Sequence, residues 1–434
     1  MKRVAPLLGI LFVLVTLFSP PAEAAGTRVI VRVNGGATVI QGICALLRCT
    51  VNFGLGDPAG QVFLVTSSSL YPNLFLSTLQ AQIGVVDAEL DLLGNVQSAA
   101  GTEVPQALYD STPITYFGTT VRRGYVNQPA NGIVGISQTQ SAFNVAGAGI
   151  VAVIDTGVDS SHPVLVPVLL PGYDFTRNTA SADEKGDVSQ STAAVVDGSS
   201  PAWVSQSTAA VVDQSTAAVV DQSQYGAFGH GTMVAGVVHL VAPQAYILPL
   251  KAFNADGSGY TSDVIRAVYR AVNAGANVIN MSFSFATASS ELSQSIAFAN
   301  KNNTICVAAA GNDGRSVAVY PSAYTSRVMG VASTTNGGAR STFSNYGPTV
   351  FAAAPGEGVV TTYPWGSYAA AWGTSFSAPF VSGAAALLVD VASANESGAS
   401  QSIAHAKWIS SDLGNGRLDL YQAVAAWRAA LGLK

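Results

Sequence analysis

The 434-residue sequence predicts an α/β fold for its larger, C-terminal part, a three-layer arrangement of parallel sheet with helices on both faces, preceded by a small α+β module. Three observations carry this. Apolar runs such as GIVAVID (149–155), YILPLKAF (246–253), NVINMSFS (277–284) and TICVAAAG (304–311) read as strands with no polar face. Strands buried on both faces belong to parallel sheets joined by crossover helices. Between the runs lie the helical stretches HGTMVAGVVHLV (230–241), TSDVIRAVYRAVNAG (261–275) and SSELSQSIAFANKN (289–302). Finally, 49% of residues are hydrophobic and 10% charged, enough for a large core and too apolar for a disordered chain.

In chain order, residues 1–24 read as a cleavable export signal, with Lys2 and Arg3, an apolar stretch over 4–18, and Ala22, Glu23 and Ala24 as a small-x-small end. That stretch is shorter than the roughly 20 residues a membrane span needs. No later segment is long and apolar enough to span; 381–391 comes nearest. Residues 25–95 form the small module. RVIVRV and GQVFLVTS are its strands, ATVIQGICALLR and YPNLFLSTLQAQ its helices. GVVDAELDLL alternates Val86, Ala88 and Leu90 against Asp87, Glu89 and Asp91, as a half-exposed strand does. Residues 96–125 are turn-rich and read as a linker and processing region; 126–434 is the large domain.

Within that domain QSTAAVVD recurs at 190–197, 206–213 and 214–221, inside an insertion at about 180–224. Its Asp197, Asp213 and Asp221 leave a cation site open, beside an insertion of no catalytic consequence and a substrate-rim or partner surface. The net charge of −5, without a Lys/Arg cluster, excludes a nucleic-acid surface. Of the three cysteines, Cys44 and Cys49 are five apart on an expected helix, a spacing that does not face them for a bridge. Cys306 reads as a small buried apolar residue. Disulfides are therefore not the expected stabiliser.

Four stretches set polar residues in apolar or glycine-rich surroundings. Asp155 ends the strand-like GIVAVID, where side chains of a parallel sheet face the ligand crevice. His230 stands between glycines at the head of an apolar helix, and Asn312 follows a strand of small residues. Ser375 opens the helix of GTSFSAPFVSG; Pro379 fits only a first turn, which puts the helix start near Ser375. Each alone is equally a cap, a turn or a core residue. Together they supply a nucleophile, a base, a carboxylate to hold the base and an oxyanion donor, and the helix N-terminus at Ser375 favours a developing negative charge.

The segments DTGVD, GHGT, AAAGN and GTSFSAP, in that order, resemble the subtilisin-like serine proteases of the subtilase family, over roughly 126–434 and ending with GNGRLDLYQAV. The resemblance implies a subtilisin-like fold and a secreted serine endopeptidase made as a zymogen. It implies a triad of Asp155, His230 and Ser375, with Asn312 in the oxyanion hole. Gly257, Ser258, Gly259 and Tyr260, and Ser282, Phe283 and Ser284, match the segments that pair with an extended peptide. Residues 25–95 resemble the family's inhibitory, ferredoxin-like propeptide, which occupies the cleft before it is cut away. The implied partners are polypeptide substrates and this propeptide, with no nucleic acid, no membrane span after signal removal and a monomeric state.

Some positions depart from the family. Met233 stands where a second histidine is common, and Ser284 where a glycine lines the specificity pocket. The helix at 230–241 runs straight to the next strand, so the usual calcium loop is absent; no cofactor is required and weak calcium binding stays open. Arg122 and Arg123 offer one processing site. A silent protease-fold binding protein and an esterase using the same triad are the competing readings. Activity is expected to rise as the base loses its proton, about pH 6.5 for an unperturbed histidine.

Overall fold

Residues 26–96, 99, 103–188, 202–203, 210–211 and 225–433 are described by a computed structural model of the chain. The expected signal at 1–24 and most of the repeat insertion lie outside the described residues. The small module runs β1 (Thr27–Val33), α1 (Gly36–Leu47), β2 (Cys49–Gly54), β3 (Val62–Ser67), α2 (Pro72–Gln80) and β4 (Val85–Leu90). Its strands pair antiparallel in the order β2-β3-β1-β4, the ferredoxin-like arrangement. Val29, Val31 and Val33 of β1 meet Ile40, Phe75 and Leu79 of the two helices in one core.

The structure corrects the expectation for two cysteines. Arg48, at φ 54° and ψ 46°, ends α1 in a left-handed turn and returns the chain as β2. Cys49 is thus a strand residue, its Cα 4.5 Å from that of Cys44, and the two form a disulfide. A helix followed by a reversal, rather than a continued helix, sets their spacing. Cys306 is buried and free, as expected.

A short strand β5 (Leu93–Asn95) leads from the module towards the large domain. There the apolar runs form β6 (Ile150–Asp155), β7 (Tyr246–Lys251), β9 (Val278–Met281), β10 (Ile305–Ala309), β11 (Met329–Thr334) and β12 (Ala352–Pro355), with the short β8 (Ser258–Tyr260) apart. The main sheet runs β7-β6-β9-β10-β11-β12, all parallel. The strands Tyr173–Asp174 and Thr179–Ala180 extend its β7 edge.

Alternate residues of each strand feed opposite layers. Val151 and Val153 of β6 join the core under α3 (His230–Val241) and α6 (Thr374–Val391). Ala152 and Ile154 join the core under α4 (Thr261–Asn273) and α5 (Ser290–Lys301). All twelve residues of α3 are buried, which accounts for its lack of a polar face. The expectation that no segment after the first 24 residues is long and apolar enough to span is corrected by helix α6, which begins seven residues before the apolar run at 381 and so reaches that length, yet is the buried core helix of this layer. The stretch expected as a linker supplies core side chains: Tyr116, Val121 and Tyr125 are buried, and the Tyr125 hydroxyl donates to Gly236 O at 2.6 Å. Two further strands, β13 (Val359–Tyr363) and β14 (Ser367–Ala371), pair as a hairpin just before α6. Within the insertion, Ala202–Trp203 pairs with Ala210–Val211, which pairs with β14.

The alternation expected for β4 holds at Ala88, but its acidic side meets protein rather than water. Glu89 accepts from Ser290 N at 2.8 Å and from Ser289 Oγ at the start of α5. Asp91 accepts from Ser262 N and Oγ, each at 2.8 Å, at the start of α4. Carboxylates at these ends satisfy N–H groups that the helices leave unpaired. Arg32 adds a two-pronged ion pair with Glu291.

Candidate active site

Asp155 is the last residue of β6 and His230 the first of α3. The His230 Nδ1 to Asp155 Oδ1 distance is 2.8 Å, with both side chains buried. The same carboxylate oxygen accepts from Thr156 N at 2.7 Å. Glycine permits this approach: a Cβ on Gly231 would lie 1.9 Å from Gly157 O. Of the other histidines, His162 contacts Ser367 O and His239 contacts the Tyr125 hydroxyl, so among the described residues His230 alone pairs with a carboxylate.

The first turn of α3 is fully partnered, and by a residue that sequence reasoning missed. Glu184, completely buried, accepts from Gly229 N at 2.9 Å and Thr232 N at 3.2 Å. It also accepts from Thr156 Oγ1 at 3.0 Å and from Thr232 Oγ1. Thr156 Oγ1 in turn accepts from Gly231 N at 3.0 Å, and His230 N donates to Ala227 O at 3.1 Å. Burial pushes the Glu184 carboxyl upward, while Thr232 and the nearby Lys251 pull it back. Lys251, opposite Asp155 in the register, is fully buried and donates to Thr156 O, Phe253 O and Asp187 Oδ2. Burial pushes its ammonium down, against the carboxylates of Asp174 and Glu184. Glu184 lies in the polar stretch SADEKGD, with no apolar period or glycine frame to mark it.

Ser375 is the second residue of α6, and the adjoining Phe376 ring lies against the His230 imidazole with centroids 5.1 Å apart. The helix start agrees with expectation, but Pro379 sits in the second turn. It removes the N–H that the Ser375 carbonyl would accept, and Ser282 Oγ donates there instead, at 2.8 Å. Ser375 Oγ donates to Ser282 O at 3.0 Å. His230 Nε2 is buried with no hydrogen-bond partner among the described residues. Asn312 Oδ1 accepts from Thr374 N and Oγ1, each at 2.9 Å, which fixes its amide at the head of α6. Asn312, Ser375, Ser284 and Gly311 line one small cleft.

The expected peptide-pairing segments are occupied by this chain itself. Strand β5 pairs antiparallel with β8, matching Ser258 to Asn95, Gly259 to Gly94 and Tyr260 to Leu93. On its other side Asn95 N donates to Ser284 O and Ser284 N to Asn95 O, both at 3.0 Å. Val96 N donates to Gly257 O at 2.9 Å, and Ala99 N to Trp372 O at 2.8 Å. Ser282 bonds to Ser375 rather than to this strand, and Phe283 is buried against Phe253. Among the described residues no group of three His, Cys, Asp or Glu side chains could hold a metal ion.

Comparison with known proteins agrees with this architecture. Thermitase from Thermoactinomyces vulgaris is 33% identical over 263 residues, covering 58% of this chain and 79% of that protein. A thermophilic serine proteinase from Bacillus sp. (strain AK1) is 30% identical over 312 residues, covering 71% and 67%. Subtilisin BL from Lederbergia lenta is 38% identical over 169 residues, 37% of this chain and 62% of its own. The solved structure of a lanthipeptide protease superposes with a TM-score of 0.53 over 68% of this chain and 96% of its own, at 21% identity, a likeness of fold. A model of the Subtilase family matches residues 147–417. It spans more than half of the chain, so the chain belongs to the subtilase family of serine-type endopeptidases.

Proposed function

We propose that this endopeptidase is made as an exported zymogen, whose segment 93–96 fills the substrate cleft until Ser375 cuts the chain just beyond it. The observation that carries the reading is the two-sided pairing of β5, with β8 on one edge and Ser284 on the other, beside the cleft that Asn312 and Ser375 line. Backbone pairing of this kind holds an extended peptide whatever its sequence. In the reaction, the Ser375 hydroxyl turns from the Ser282 carbonyl to His230 Nε2, loses its proton there and attacks the peptide carbonyl. Asn312 Nδ2 and the Ser375 N–H stabilise the oxyanion. His230 returns the proton to the leaving amine, Asp155 holds its Nδ1–H, and water then hydrolyses the acyl-enzyme. The steps use side chains, backbone N–H groups and water.

The module is held by Glu89, Asp91 and Arg32 and acts as an intramolecular inhibitor of a monomer. Residues 1–24 direct export and are removed. The self-cleaved bond lies in the stretch joining Val96 to Ala99, since the chain is anchored at both ends of it, at Gly257 and Trp372. The test is mass mapping of purified wild type and Ser375→Ala, with a fluorophosphonate probe on both. Wild type is expected to acquire a new N-terminus within that stretch and to label on Ser375. The variant is expected to stay uncut and unlabelled. Processing at Arg122–Arg123, or a variant that matures like wild type, would refute the reading.

A further inference from the structure

We infer that the cleft selects polypeptides with glycine at the position that Gly94 occupies, because the Phe285 ring fills the space a side chain would enter. The inference rests on the reading that β5 lies where substrate lies.

Gly94 faces Gly259 in the β5–β8 register and precedes Asn95, which is bonded to Ser284. It is not among the glycines with positive φ, so its backbone does not demand glycine. Space does. A Cβ on Gly94 would lie 2.4, 2.6 and 2.7 Å from three ring atoms of Phe285, well inside van der Waals contact. Phe285 is 2% exposed, and its backbone is fixed by bonds with Tyr320 in both directions, at 2.8 and 2.9 Å. Its ring stands edge-on to Phe283 at 5.9 Å, and Phe283 packs on Phe253 at 4.8 Å. These three rings make a continuous aromatic floor, so Phe285 cannot retreat inward without displacing Phe283.

The neighbouring positions are built differently, as a strand's alternation requires. Leu93 and Asn95 are exposed, so side chains there meet solvent. Val96 is 4% exposed and belongs to the apolar core beside Ala227 and Phe253. The substrate class is therefore an extended segment of the form x-Gly-x-apolar, cut a residue or more beyond the apolar position.

The test uses self-processed enzyme and peptides reproducing residues 92–101, with glycine, alanine or leucine at the Gly94 position, and casein as a general substrate. Forcing a methyl into a filled site costs about 1–3 kcal/mol, or roughly 5–150-fold. The alanine peptide is expected to lose at least about fivefold in kcat/KM and the leucine peptide more, with glycine enriched at the same position of mapped casein cuts. In Phe285→Ala, and in Phe285→Val should the first not fold, the glycine-to-alanine ratio is expected to fall towards one. Equal rates on the three peptides, with casein cut at sites lacking glycine, would overturn the inference and leave the protease reading standing. No cleavage of any peptide or of casein would overturn both.

Discussion

Replacing Glu184 by glutamine tests whether a buried carboxylate organises the turn that carries His230. Its oxygens face only donors: Gly229 N, Thr232 N, Thr156 Oγ1 and Thr232 Oγ1. Both hydroxyl oxygens already accept elsewhere, from Gly231 N and Asp159 N, which leaves their hydrogens for Glu184. The donor set thus favours the ionised form against the upward push of burial. An amide in this place turns N–H groups against N–H groups. A hydrogen bond to a charged group contributes about 1.5–3 kcal/mol, and one or two are lost, so Glu184→Gln should destabilise by about 3 kcal/mol. For a domain of this size that lowers the melting temperature by roughly 5–10 °C. The melt is measured in a Ser375→Ala background, which prevents self-digestion. In the active background the loosened turn displaces the imidazole, so kcat should fall roughly tenfold to a hundredfold, with KM little changed. A variant melting within a degree of its parent, with unchanged kcat, would refute the argument, because a neutral acid tolerates the exchange.

Three further outcomes are expected. Arg32→Ala leaves the buried Glu291 without its ion pair, and breaking such a pair costs about 3–5 kcal/mol; the cleaved module should therefore inhibit at least a hundredfold less well, read as a rise in its inhibition constant. Asp263, beside Asp91 under the docked module, has its carboxyl pushed up to about 6 by burial first, with Asp91 adding to the rise against Arg266. A raised value favours the docked state fully below about pH 4, the ordinary aspartate range, and the benefit is lost as pH rises through about 6, so the cleaved module should co-elute with the enzyme at pH 4–5 and dissociate more readily at pH 8; the opposite order would refute the linkage. Ser282→Ala strips the Ser375 carbonyl of its donor at a cost of about 1–3 kcal/mol, and adding Pro379→Ala, which restores the helical N–H, should recover most of that loss in denaturant melts.

The sequence alone settled the fold class and pointed to the residues of the candidate site. Short apolar runs of strand length, with no polar side and bounded by turn residues, read as strands buried on both faces, and the observed β6, β9 and β10 are such strands, whereas the longer apolar runs of α3 and α6 are buried helices. Asp155, His230, Asn312 and Ser375 were legible because each stands at an element end, in a short frame of glycine and small residues that local geometry requires. Residues whose partners lie far along the chain were not legible. Glu184 serves a helix whose cap, Gly229, lies 45 residues later, and Glu89 and Asp91 looked like the wet side of a strand until docking brought them to α4 and α5. Cys49 was misread because one left-handed residue, Arg48, reversed the chain after α1. Ser282 repairs the bond that Pro379 removes, and Phe285 closes the space beside Gly94. The physical reason is common to all of these. Burial of apolar groups follows a period that a sequence displays, whereas a buried polar group or a filled space is satisfied by whichever residue the tertiary fold delivers, and no local pattern records which one that is.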